Sequence, residues 1–155
     1  MEKTNVMRIL DQKNIDYIEH TYNGDSSTTG VEVAEMVGIS VERTYKTLVT
    51  ISNTKKYYVF VVPVTCELDL KKGAQSVNEK SIEMIKQKDL LNVTGYIHGG
   101  CSPIGLKKNY PVVFDESITL FDKIMFSGGK IGFQVEMNVS DIDKVIDYTI
   151  SDITK

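Results

Sequence analysis

The run Tyr57-Tyr58-Val59-Phe60-Val61-Val62 constrains the fold of this chain more than any other segment. A strand that is apolar at every position has no face to give to water, so it belongs in the middle of a sheet covered on both sides. The polar turn Ser52-Asn53-Thr54-Lys55 separates it from a second extended run, Thr44 to Ile51, which predicts a hairpin. The apolar stretch ends at Val64 and is far too short to cross a bilayer.

Around that hairpin the pattern alternates less regularly. Thr4 to Lys13 reads as a helix with Met7, Ile9 and Leu10 on one stripe. Tyr17 to Tyr22 looks extended. Thr29-Gly30-Val31-Glu32 has the spacing of a capping box ahead of a helix that Gly38 stops. Asp69 is placed to cap a helix through Ala74, and Ser81 a second one through Ile82, Met84 and Ile85. Asp89-Leu90-Leu91 opens a turn, Tyr96-Ile97-His98 reads as a strand, and Pro111–Phe114, Lys123–Phe126 and Gly132–Glu136 are further strands. Ser140 to Ile146 reads as a closing helix. Strands crowded at both ends of a helical middle argue for an α+β fold, and 155 residues without a linker or repeat for a single domain, 1–155.

Composition excludes several classes. The net charge of −3 and the scarcity of arginine, with only Arg43 beyond the first helix, argue against a general nucleic-acid coat. Paired lysines at 55–56, 71–72 and 107–108 leave room for local RNA contacts only. Two cysteines make no disulfide framework, which suits a reducing cytoplasm, and the N-terminus leads into a polar helix rather than a signal sequence. His20, Cys66, His98 and Cys101 lack zinc-type spacing, so no metal is expected.

Three elements carry chemistry. Lys46 lies within a strand, beside Thr44 and Thr50 on one face, where it suits either solvent or a polar pocket. Gly99-Gly100-Cys101-Ser102-Pro103-Ile104-Gly105 and Ser127-Gly128-Gly129-Lys130-Ile131-Gly132 are glycine loops whose backbone N–H groups can approach a polar ligand. The first is no phosphate-binding loop, because Lys107 is one residue late and no Ser or Thr follows it. Cys101 with His98 three residues before it is a weak nucleophile candidate, since spacing alone supplies neither a base nor an oxyanion site.

Tyr45-Lys46-Thr47-Leu48, Leu68-Asp69-Leu70-Lys71-Lys72, Gly95-Tyr96 with the first glycine loop, and Ser127-Gly128-Gly129-Lys130 occur in this order. Together they resemble the YbaK/EbsC family of Cys-tRNA(Pro) deacylases, relatives of the editing domain of bacterial prolyl-tRNA synthetase, and the resemblance spans nearly the whole chain. It implies a mixed, barrel-like sheet surrounded by helices. The implied enzyme frees tRNA(Pro) of a wrongly attached cysteine, without cofactor, in the cytoplasm, alongside prolyl-tRNA synthetase. Cysteine is close to proline in size, and so small a difference calls for a second, hydrolytic sieve.

By the same resemblance Lys46 matches the essential lysine, orienting the terminal adenosine or offsetting developing negative charge. Gly99 and Pro103 match a GxxxP loop whose backbone faces the ester, with Gly100 and Ser102 inside it. Tyr22 matches a pocket aromatic, and Ser127, Gly128 and Gly129 match a loop beside the aminoacyl group. No protein nucleophile is implied: the substrate's own thiol attacks. Two departures concern substrate choice, for better-known members have Arg and Asp where this chain has Ile131 and Gln134, and Gln134 can hydrogen-bond an ammonium but not neutralise it. Deacylation of another small aminoacyl-tRNA, such as Ala-tRNA(Pro), or a non-catalytic tRNA- or synthetase-binding module, are the other readings.

Overall fold

The computed structural model describes residues 2–155. Helix α1 (Asn5–Gln12) starts at Thr4, whose hydroxyl accepts the Met7 N–H, and it buries Val6, Met7 and Leu10. Strand β1 (Tyr17–Thr21) leads to α2 (Gly30–Val37), which has the full capping box of Thr29 and Glu32 and ends at Gly38 in the left-handed conformation. Then come β2 (Tyr45–Ser52), β3 (Tyr57–Pro63), α3 (Leu70–Ser76) capped by Asp69, and β4 (Ile82–Met84). Helix α4 (Leu90–Thr94), β5 (Val112–Asp115), β6 (Lys123–Ser127), β7 (Phe133–Asn138) and β8 (Thr149–Ser151) complete the chain.

The strands form two sheets, β1-β7-β6 and β4-β2-β3-β5-β8, joined where Thr44 bridges Met125 in parallel. Pairing is antiparallel except along β3-β5-β8. As its composition requires, β3 is central. Val59 and Val61 face the main core, which also takes Tyr45, Val49, Phe114, Phe126 and Val135 from the sheets and Leu10 from α1. Tyr58, Phe60 and Val62 face the other way, onto a smaller cluster with Ala74 of α3, Leu68 and Ile153. This mixed α+β architecture agrees with the expected one.

Three local expectations are corrected. Ser81 to Ile85 is not a helix: Ile82–Met84 pairs antiparallel with Thr50–Ser52, because the free edge of β2 offers ladder bonds that an isolated short helix would lack. Tyr96-Ile97-His98 is a turn rather than a strand, held by Thr94, whose hydroxyl accepts the Tyr96 N–H, and by Tyr96, whose hydroxyl donates to the Ile104 carbonyl. The closing helix is a 3-10 segment, Val139–Lys144, and the chain then adds β8 to the sheet edge beside β5.

Candidate active site

The geometry of β2 creates the site. The Ser52 N–H donates to Lys56 and the Val64 N–H to Thr44, so even-numbered residues of β2 bond toward β3. Odd-numbered residues therefore turn their backbone groups to the opposite edge. There β6 forms a bridge only at Thr44, and the Ile85 N–H, just past the end of β4, donates to the Val49 carbonyl. Between these two points, around Thr47, no strand covers the edge among the described residues. A cleft of about 350 Å³ opens at that gap, within the usual size of small-molecule sites.

Three segments close around it. The loop from Tyr22 to Thr29 brings Ser26, Ser27, Thr28 and Thr29, and its shape is set by Asp25, which accepts from the Ser27 backbone and hydroxyl. The turn after α4 brings His98, Gly99 and Cys101, and the sheet of β6 and β7 brings Ser127 and Gln134, which face each other in the ladder. Lys46 lines the cleft from β2, its side chain makes no hydrogen bond or ion pair among the described residues, and it is the only Lys or Arg there; no Asp or Glu lines it. An acidic protein thus has a cleft whose fixed charge is positive. Two buried polar atoms on the cleft-lining residues also lack partners, Thr47 Oγ1 and Gln134 Oε1. Buried polar atoms are normally bonded, so two orphans in one cleft suit a ligand with donors and acceptors of its own.

Of the residues expected from sequence, Lys46, Gly99, Tyr22, Ser127 and Gln134 meet in this cleft. Gly100, Ser102, Pro103, Gly128 and Gly129 do not line it. A Cβ on Gly100 would lie 3.2 Å from the Ile131 nitrogen and 3.3 Å from Lys130 Cα, so this glycine lets the two loops lie against one another. Gly129, at φ +93°, leaves room for Val6 and Tyr96, and the Ser127 hydroxyl accepts its N–H to tighten that turn. Ser102 is fully buried, with its hydroxyl accepting the Ile104 N–H, and Pro103 faces a different cleft. Sequence reasoning passed over Thr47 and the Ser26-Ser27-Thr28 hydroxyls. The clustering of hydroxyls ahead of the capping box was the available signal.

Cys101 touches the cleft but is not poised as a nucleophile. Burial pushes its thiol up to about 12, so thiolate is scarce at neutral pH, and no hydrogen bond joins it to His98 among the described residues. Behind Gln134, the Glu136 carboxylate accepts from His20 Nε2 at 2.9 Å and from Arg43 Nη1 at 2.6 Å. Burial pushes the Glu136 carboxyl up, but these bonds outweigh it and hold the group below its ordinary value.

Over 154 residues the chain is 40% identical to EbsC of Enterococcus faecalis, provisionally named a Cys-tRNA(Pro)/Cys-tRNA(Cys) deacylase; the match covers 99% of this chain and 94% of that protein. A solved structure provisionally described as a trans-editing enzyme for prolyl-tRNA synthetase superposes with a TM-score of 0.82 at 20% identity, covering 99% of both chains. The crystal structure of a hypothetical protein, APE2540, superposes at 0.88 with 19% identity, covering 98% of this chain and 100% of that one. At such identity the two structures speak for the fold alone. Residues 25–145 match the model of the aminoacyl-tRNA editing domain, and that span holds nearly all of the cleft. The chain belongs to the aminoacyl-tRNA editing domain family.

Proposed function

We propose that this chain removes cysteine from mischarged tRNA(Pro), working in the cytoplasm on tRNA brought to it by prolyl-tRNA synthetase. It is an aminoacyl-tRNA deacylase by family, and the name of EbsC supports cysteine as the amino acid. The observation that carries the reading is the unpaired Lys46 in a cleft with no carboxylate, beside two orphaned polar atoms.

Each group has a task that its chemistry suits. Gln134 Oε1 accepts from the α-ammonium of the aminoacyl group, and the Thr47 hydroxyl bonds the same group or the ester. Lys46 offsets the negative charge that develops on the carbonyl oxygen, in a cleft where a fixed charge counts for more than in water. The Gly99 backbone, in a left-handed conformation at φ +91° that a side chain would strain, faces the ester, and Tyr22 lines the amino-acid end. The nucleophile comes from the substrate. Its thiol sulfur adds to its own carbonyl carbon, the ester C–O bond breaks, and the tRNA 3′-oxygen leaves carrying the thiol proton; water then opens the small cyclic thioester. The high thiol pKa of Cys101 agrees with a protein that supplies none.

The test is release of labelled amino acid from Cys-tRNA(Pro), Ala-tRNA(Pro) and Pro-tRNA(Pro), with wild type and Lys46→Ala in parallel. Rapid loss of cysteine alone is expected, falling at least about 100-fold in the variant, the scale on which a lost oxyanion partner is felt. Preference for alanine would move the substrate and keep the site. No turnover, with prolyl-tRNA synthetase present or absent, would sink the enzyme reading in favour of a binding module.

A further inference from the structure

A second cleft of about 240 Å³ continues the first: Thr47, Leu48, Leu90 and His98 line both. Its own walls are Val49 and Ile85, with Met84 and Gln87 at the rim. Met84, the last residue of the edge strand β4, is 45% exposed, which leaves its thioether free to meet a ligand. We propose that this second cleft seats the terminal nucleoside of the substrate, with adenine against Met84, Leu90 and the His98 ring and its edge read by the Gln87 amide. The proposal rests on the deacylase reading and adds where the nucleic acid lies.

The chemistry of the substrate demands a neighbouring compartment. The ester joins the amino acid to a ribose, so a cleft that holds the aminoacyl group must open directly onto a place for that ribose and its base. Two sides are open. On one, the loop before α2 carries Asp25 and the first turn of α2 carries Glu32, both exposed, whose bonds to Ser27 and Thr29 fix them as acceptors. Phosphates next to that wall meet like charge. On the other side Lys86 and Lys88 flank Gln87, are exposed and form no ion pair among the described residues, with Asp89 half-buried after them. Bases stack on flat apolar surfaces and on rings such as that of His98, and a glutamine amide has the donor and acceptor to match the N6/N7 edge of adenine. Every tRNA ends in adenosine, so an adenine reader serves any aminoacyl-tRNA and leaves amino-acid choice to the first cleft.

The probe is the trinucleotide CpCpA, which carries no amino acid, with CpCpC as its control. Spectra of the methionine methyl groups and the histidine rings are followed by NMR, the Met84 signal being assigned with Met84→Leu. Saturable shifts at Met84 and His98 with CpCpA, several-fold weaker with CpCpC, are expected, and Gln87→Ala should remove that preference. No shift at either residue, or equal shifts with CpCpC, overturns the proposal. In turnover, Gln87→Ala should raise KM for Cys-tRNA(Pro) by about tenfold with kcat nearly unchanged, the mark of lost uniform binding. An unaltered KM would count against the subsite. The two readings fail separately. CpCpA at Met84 in a protein inactive on every aminoacyl-tRNA removes the deacylase and keeps the subsite, whereas active protein with unmoved Met84 and His98 does the reverse.

Discussion

Thr47 and Gln134 each bury a polar atom that the folded protein leaves unbonded. A side chain kept at such a cost to the fold should show its worth in function rather than stability. Thr47→Val replaces the hydroxyl by a methyl of the same shape. It is expected to leave the melting temperature unchanged or raise stability by about 1 kcal/mol, while lowering deacylation. A variant that is less stable and fully active would mean the hydroxyl is structural. Cys101→Ser should keep activity within a few-fold, and the wild-type thiol should react slowly with iodoacetamide at neutral pH, since burial holds it protonated. At this scale the sequence showed Lys46 and Gln134 through family resemblance. Thr47 was visible only as an ordinary strand threonine, because what sets it apart is the uncovered edge beside it.

Among the elements, the two glycine loops were conspicuous in the sequence, yet their glycines divide the work differently from a simple pair of ligand loops. Gly99, at φ +91°, faces the cleft, whereas Gly100 lies against the backbone of Lys130 and Ile131. Gly100→Ala puts a methyl into that contact, where only main chain can give way. It is expected to cost on the order of 1–3 kcal/mol, as overpacking does, and to reduce activity by pushing His98 and Gly99 away from Ser127. Denaturant unfolding and turnover together check this; unchanged stability would show that the loops do not rest on each other. The helix expected at Ser81–Ile85 failed for a related reason. Ile82 and Met84 alternate in a way too brief to separate from a helical pattern, and the choice is made by the free edge of β2, which lies some thirty residues earlier in the chain.

Across the whole molecule, the α+β class and the central position of β3 could be read from apolar patterning, but the tie between the sheets could not. Glu136 on β7 accepts from His20 on β1 and from Arg43, which lies just before β2. These partners are 116 and 93 residues away in the chain, so no local pattern announces them. The contact fastens the strand carrying Gln134 to the start of the strand carrying Lys46, so it holds the two walls of the cleft in register. Its pH dependence has a definite sign. The Glu136 carboxyl is held below its ordinary value of 4.5, so its contribution to stability is complete above that value and is lost as pH falls through the depressed one. Glu136→Gln should therefore destabilise the protein at neutral pH by roughly 2 kcal/mol, less than a fully buried pair costs because Arg43 reaches solvent. The loss relative to wild type should shrink below about pH 4.5 as the wild-type carboxyl takes up its proton. Thermal unfolding of both proteins from pH 7 down to pH 3 reads this directly, and two curves that stay parallel throughout would show that Glu136 is not charged in the folded state.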